Sequence, residues 1–190
     1  MNANRAILTL VLLMGGCDSM DSTVTAASPE PSASRASLAP SETNSDTSGR
    51  CHTGELQVSV KAAPGGGAAG SVYEWLVFTN GSQRTCTMHG FPGVSWVTGA
   101  DGQQVNDPAQ RMSGNAPARV TLKAGGSAHA TLQSPQPMDF PDTCAPKDIA
   151  GLRVYPPDET GAVFVAAQRQ VCSAKGVGLA HIGPVTTADG

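Results

Sequence analysis

Aromatic and charged residues are both scarce. The 190-residue chain has two Trp, two Tyr and four Phe, and only 14% of its residues are charged. A typical soluble protein carries about a quarter. The scarcity of aromatics limits how large a core any fold can build. No apolar run is long enough to cross a bilayer, and no amphipathic helical stretch of useful length occurs. The excess of acids, 15 against 12 Lys and Arg, falls in residues 18–48, which carry Asp18, Asp21, Glu30, Glu42 and Asp46 against Arg35 alone. Residues 49–190 are balanced, so no basic face is expected and nucleic acid is excluded as a natural partner. In place of charge stand small residues and turn formers, including 22 Gly and 14 Pro. That composition suits a loop-rich β protein outside the cytoplasm.

Residues 1–17 read "MNANRAILTLVLLMGGC". Arg5 precedes an apolar run from Ala6 to Met14. At ~1.5 Å per residue, a helix of that run covers roughly half of a ~30 Å hydrocarbon core. Charge, short apolar run, then small residues is the order of a signal peptide. Met14, Gly15, Gly16 and Cys17 resemble the bacterial lipoprotein signal, although Leu and then Ala or Ser are more usual at the first two positions. The resemblance implies that residues 1–16 are removed. The Cys17 sulfur then carries a diacylglycerol, and Cys17 becomes the amino terminus. An ordinary secretory signal would leave Cys17 as an odd thiol in an oxidising compartment.

Residues 17–48 lack aromatics and are built from Ser, Thr, Ala, Pro and acids. Such a segment cannot bury enough apolar surface to offset its chain entropy, so a flexible acidic tether is expected.

About 140 residues remain from Gly49, enough for one domain. In "ELQVSV", Leu56, Val58 and Val60 alternate as on a strand with one buried face. "SVYEWLVFTN" is apolar on both faces and fits a central strand. "TCTMHGF" is read as short and extended, and "GVSWVTG", "ARVTLKAGGSAHATLQ", "IAGLRVYPP", "AVFVAA" and "HIGPV" supply further strands. "AAPGGGAAG" reads as a loop or hairpin end, and Asn80-Gly81 and Asp101-Gly102 as hairpin turns. The expectation is an all-β fold over residues 49–187: an antiparallel, immunoglobulin-like sandwich of about seven to nine strands.

Four cysteines, Cys51, Cys86, Cys144 and Cys172, allow three pairings. Cys51 precedes the first strand and Cys86 follows the second, so an antiparallel pair brings them to one end. Cys144 and Cys172 flank the last strong strands in the same way. Pairings 51–86 and 144–172 are therefore favoured.

Signals for chemistry are thin. "GGGAAG" lacks the Lys-Ser/Thr pair of a phosphate loop, and no Gly-x-Ser-x-Gly elbow lies between strand and helix. No catalytic residue or cofactor is expected. The histidines are His52, His89, His129 and His181. Cys86-x-x-His89 has zinc-ligand spacing, but Cys86 is better used in a disulfide. Met88, His89, Met112, His129 and Met138 form a soft donor set that suits Cu(I), so copper handling is the alternative function. In "HGFPGVSW", Phe91, Pro92 and Trp96 either offer a peptide or glycan contact or plug the sandwich end.

The order "CHTGELQVSV", "AAGSVYEWLVFTN", "CTMHGFPGVSWV", "VTLKAGGSAHATL", "LRVYPP" and "VCSA" resembles the DUF4232 family of bacterial envelope proteins, over about residues 50–186. The block from Asn80 to Val94 is its most specific piece. The resemblance implies a secreted or lipid-anchored domain and carries no catalytic residue. Taken together, the expected protein is a lipid-anchored, non-enzymatic binding module. Its partners are membrane lipid through Cys17 and an envelope protein, peptide or glycan.

Overall fold

A computed structural model describes residues 49–68 and 70–187. The signal segment 1–16, the acylation site Cys17 and the tether 17–48 lie outside the described residues. No helix among the described residues is long and apolar enough to cross a membrane.

The strands are β1 (Leu56–Ala68), β2 (Ser71–Asn80), β3 (Cys86–His89), β4 (Gly93–Val97), β5 (Gln104–Val105) and β6 (Gln110–Arg111) in the first half. They continue as β7 (Arg119–Leu122), β8 (Ser127–Pro135), β9 (Pro146–Tyr155), β10 (Val163–Cys172), β11 (His181–Ile182) and β12 (Thr186–Thr187). Helical structure is limited to single 3₁₀ turns at Thr53–Glu55 and Pro137–Asp139. Strand order is β1-β2-β8-β11-β6 in the largest sheet, with β12 also on β8, and β10-β9-β4-β5 in the second; β3 pairs β7. The fold is the all-β, disulfide-bonded sandwich expected from the alternation. Four of the strands are two-residue pieces too short to read from sequence.

The β-branched and aromatic residues of β2 suit a strand flanked on both sides, by β1 and by β8. Its inward residues meet small partners: Phe78 lies opposite Ala128, and Leu76 opposite Ala130. This large-to-small matching lets the second sheet approach. One core cluster joins Leu76, Phe78 and Leu132 of the first sheet, Trp96, Leu152 and Val165 of the second, and Met88 and Leu122 of the β3–β7 pair.

Three local expectations are corrected. First, of the two readings of the glycine-rich run, the hairpin end holds, with Ala68 paired to Ser71, and the loop does not. β1 continues through it to Ala68, with a register shift between Ala62 and Gly67, while Gly65 and Gly66 take positive φ. Second, Asn80-Gly81 does not close a hairpin, because β3 pairs β7 rather than β2. The Asn80 side chain is fully buried. Its amide donates to the carbonyls of Arg84, Leu122 and Lys123, and its oxygen accepts from the backbone N–H and hydroxyl of Ser82. Third, the strand started by "AVFVAA" runs on through Gln168, Arg169 and Gln170 to Cys172. Arg169 is tolerated there because it pairs with Glu74 of the opposite sheet.

Both favoured disulfides are formed. Cys51–Cys86 spans 35 residues and Cys144–Cys172 spans 28. The first ties the entry of the domain to β3, and the second ties the approach to β9 to the end of β10.

Candidate functional site

Where the domain begins, a polar clasp surrounds the Cys51–Cys86 bond. The Glu159 carboxylate accepts from Arg50 Nε at 3.0 Å, from the Thr53 backbone N–H at 2.9 Å and from the Thr53 hydroxyl at 3.0 Å. His52 Nδ1 lies 3.2 Å from the same group. Burial alone would raise the Glu159 pKa. The Thr53 backbone, Arg50, and the Thr53 and His52 side chains outweigh it and hold the pKa down at about 2. Glu55 accepts from Arg84 Nε at 2.6 Å and from the His52 backbone N–H at 2.8 Å. The Arg84 hydrogen bond is the main cause of its lowered pKa, against the opposing effect of burial. Arg84 also donates to the Arg50 carbonyl at 2.7 Å. These bonds fix residues 50–55 to the β9–β10 connection, so the clasp is a structural tie at the end where the chain enters.

The soft donor set is not gathered into one site. Met88 is packed in the core and His89, next to it on β3, is exposed. Met138 is 77% exposed on the second 3₁₀ turn. Met112 borders a groove near Gly183. His129 stacks on Trp75 with ring centroids 4.2 Å apart. Its Nε2 lies 3.3 Å from the Thr186 hydroxyl, and burial lowers its pKa. Among the described residues no three His, Cys, Asp or Glu side chains form a metal cluster. The geometry therefore gives copper handling no support.

Phe91, Pro92 and Trp96 do not form an exposed aromatic patch either. Pro92 is buried, and Trp96 is buried with the Arg169 guanidinium 5.4 Å from its ring centroid. Phe91 is half-buried beneath Arg111. Pro92 and Trp96 are thus packed inside the domain rather than offered as a contact surface.

A grooved surface with polar and aromatic side chains lies on the outward face of the largest sheet. Strand alternation puts Tyr73 and Trp75 of β2 on the side opposite Leu76 and Phe78. The β2–β8 register sets Tyr73 opposite Gln133, Trp75 opposite Thr131 and Val77 opposite His129. β11 and β12 then pair the other side of β8 in tandem, at His181–Gln133 and Thr186–His129. A groove of about 650 Å³ runs over this face, with Tyr73, Thr131, Gln133 and Thr186 on the sheet and Met112 and Asn115 on the overhanging segment after β6. A second recess of about 330 Å³ shares Met112, Asn115 and Gln133 and adds His181. A third, of about 160 Å³, lies beside Lys61, Trp75 and His129. Sequence reasoning missed this site. Its residues come from four separated segments, and the outward side of β2 was read only as evidence of a central strand.

These features define a disulfide-stapled all-β domain with a grooved outer sheet face. The sequence model of a domain of unknown function, DUF4232, matches residues 51–186. The chain belongs to that family. No curated protein and no solved structure matches it.

Proposed function

We propose that this chain is a lipid-anchored cell-envelope protein whose domain acts as a non-enzymatic binding module. The observation that carries the anchor is thiol parity. Cys51, Cys86, Cys144 and Cys172 pair with one another, which leaves Cys17 as the single cysteine of five without a disulfide role. Cys17 stands where the lipoprotein signal requires an acylated cysteine. Two disulfides also favour an oxidising, extracytoplasmic compartment. The binding role rests on the grooved outer face, where Tyr73 lies beside the amide side chains of Asn115 and Gln133. The tether 17–48 would hold that face away from the lipid.

Replacing Cys17 with Ser tests the anchor. The wild-type chain is expected in the membrane fraction and the detergent phase, because two or more acyl chains give stable anchoring. The C17S chain is expected in the aqueous phase. Equal partitioning of the two would overturn the reading.

A further inference from the structure

We propose that the outward face of β2, β8 and β11–β12 is a saccharide-binding site for neutral pyranose chains. It rests on the binding-module reading and supplies that module's site and ligand class.

The lining selects the ligand by elimination. The main groove is bordered by Tyr73, Thr131, Gln133, Thr186, Asn115 and Met112, and no charged side chain lines it. An anionic or cationic ligand would lose its hydration there with no counter-charge in return. A wholly apolar ligand would leave the amides of Asn115 and Gln133 and the hydroxyls of Thr131 and Thr186 covered without partners. A pyranose avoids both penalties. Its ring has an apolar C–H face that can lie on the Tyr73 ring, and each hydroxyl both donates and accepts. Asn and Gln amides offer both roles from one planar group, and a Tyr ring offers an apolar face with a polar tip. Gln133 Nε2 already donates to the Ser71 hydroxyl at 3.2 Å, which restrains the amide at the groove wall.

A peptide strand fits less well. Peptides dock on sheets chiefly by pairing with a free edge. Here β2 is paired with β1 and β8, and β8 is paired with β2 on one side and with β11 and β12 on the other. The floor of the groove presents side chains rather than unpaired backbone. Its volume, about 650 Å³, falls within the usual range of small-ligand sites. The recess by Trp75 and Lys61 lies one rung further along the same strands, so a chain of several sugars can extend past Tyr73 toward Trp75.

The test is titration of detergent-extracted full-length protein with chitotetraose and with cellotetraose, read by calorimetry and hydrogen exchange. The two probes separate N-acetylated from plain glucan chains. Saturable binding of either is expected, with protection over residues 71–75, 112–116 and 129–133. Tyr73→Ala is expected to weaken it about tenfold, Tyr73→Phe to retain it, and Asn115→Ala, on the exposed loop, to weaken it about fivefold. The Phe variant and an unchanged melting temperature separate lost stacking from lost folding. Failure of both sugars to bind overturns the proposal, as does binding that Tyr73→Ala and Asn115→Ala leave intact. A peptide or protein fraction of the envelope that binds where the sugars do not overturns the saccharide site but leaves the module standing. If no envelope fraction changes hydrogen exchange anywhere in the domain, both fail.

Discussion

Arg169 on β10 and Glu74 on β2 meet across the two sheets, with each guanidinium nitrogen of the pair bonded to a different carboxylate oxygen. The same guanidinium lies over Trp96, 5.4 Å from the ring centroid. Both partners are largely shielded, at 24% and 13% side-chain exposure, so the pair works as an inter-sheet tie rather than a surface ion pair. Removing one partner leaves the other charge shielded and unmatched. Arg169→Met is therefore expected to lower stability by about 2–3 kcal/mol in urea unfolding, and Arg169→Met with Glu74→Met to recover most of that. A double variant no better than the single would refute the tie.

Asn80 satisfies three carbonyls and two donors of Ser82 from a fully buried position. Asn80→Ala leaves those groups without partners and without water. The expected loss is at least about 2 kcal/mol, measured by chemical denaturation. A loss below about 0.5 kcal/mol would show that water enters and replaces the side chain.

The acid response follows from the entry clasp. Glu159 has a folded pKa of about 2 against an ordinary 4.5. Its stabilising contribution is thus complete above pH 4.5 and is lost as pH falls from there toward about 2, because the unfolded chain takes up the proton first. Glu55, also lowered, acts in the same direction. Unfolding free energy measured across this window is expected to fall steeply in wild type and less steeply in Glu159→Gln. His129 adds a separate, shallower loss below its ordinary value of 6.5, since burial disfavours its charged form.

Each disulfide closes a sizeable loop in a domain with few aromatics. Cys51→Ala with Cys86→Ala, and Cys144→Ala with Cys172→Ala, are each expected to cost about 3–4 kcal/mol. The first pair should also increase hydrogen exchange at Thr53 and Glu55, because the clasp is built around that bond. Exchange there that stays unchanged would mean the polar contacts hold the entry segment unaided.

How far the sequence could be read depended on whether the signal was local. Alternation in Leu56, Val58 and Val60, the doubly apolar β2, and the flanking of strands by cysteines are local patterns, and they led to the fold and both pairings. Where a residue's partner is distant, the reading failed. Gln168-Arg169-Gln170 looks like the end of a strand, because nothing nearby shows that Glu74 will receive Arg169. Asn80-Gly81 looks like a hairpin turn, because the carbonyls that recruit Asn80 lie at 84, 122 and 123. The groove was illegible for the same reason: Tyr73, Asn115, Gln133 and Thr186 meet only once β8 is paired on both sides.

Intact-mass analysis of membrane-extracted protein, after alkylation of free thiols under denaturing, non-reducing conditions, bears most directly on the whole account. The expected product begins at Cys17, carries the mass of its acyl groups and takes up no alkylating reagent. An amino terminus upstream of Cys17, or an alkylated Cys51, Cys86, Cys144 or Cys172, would contradict it.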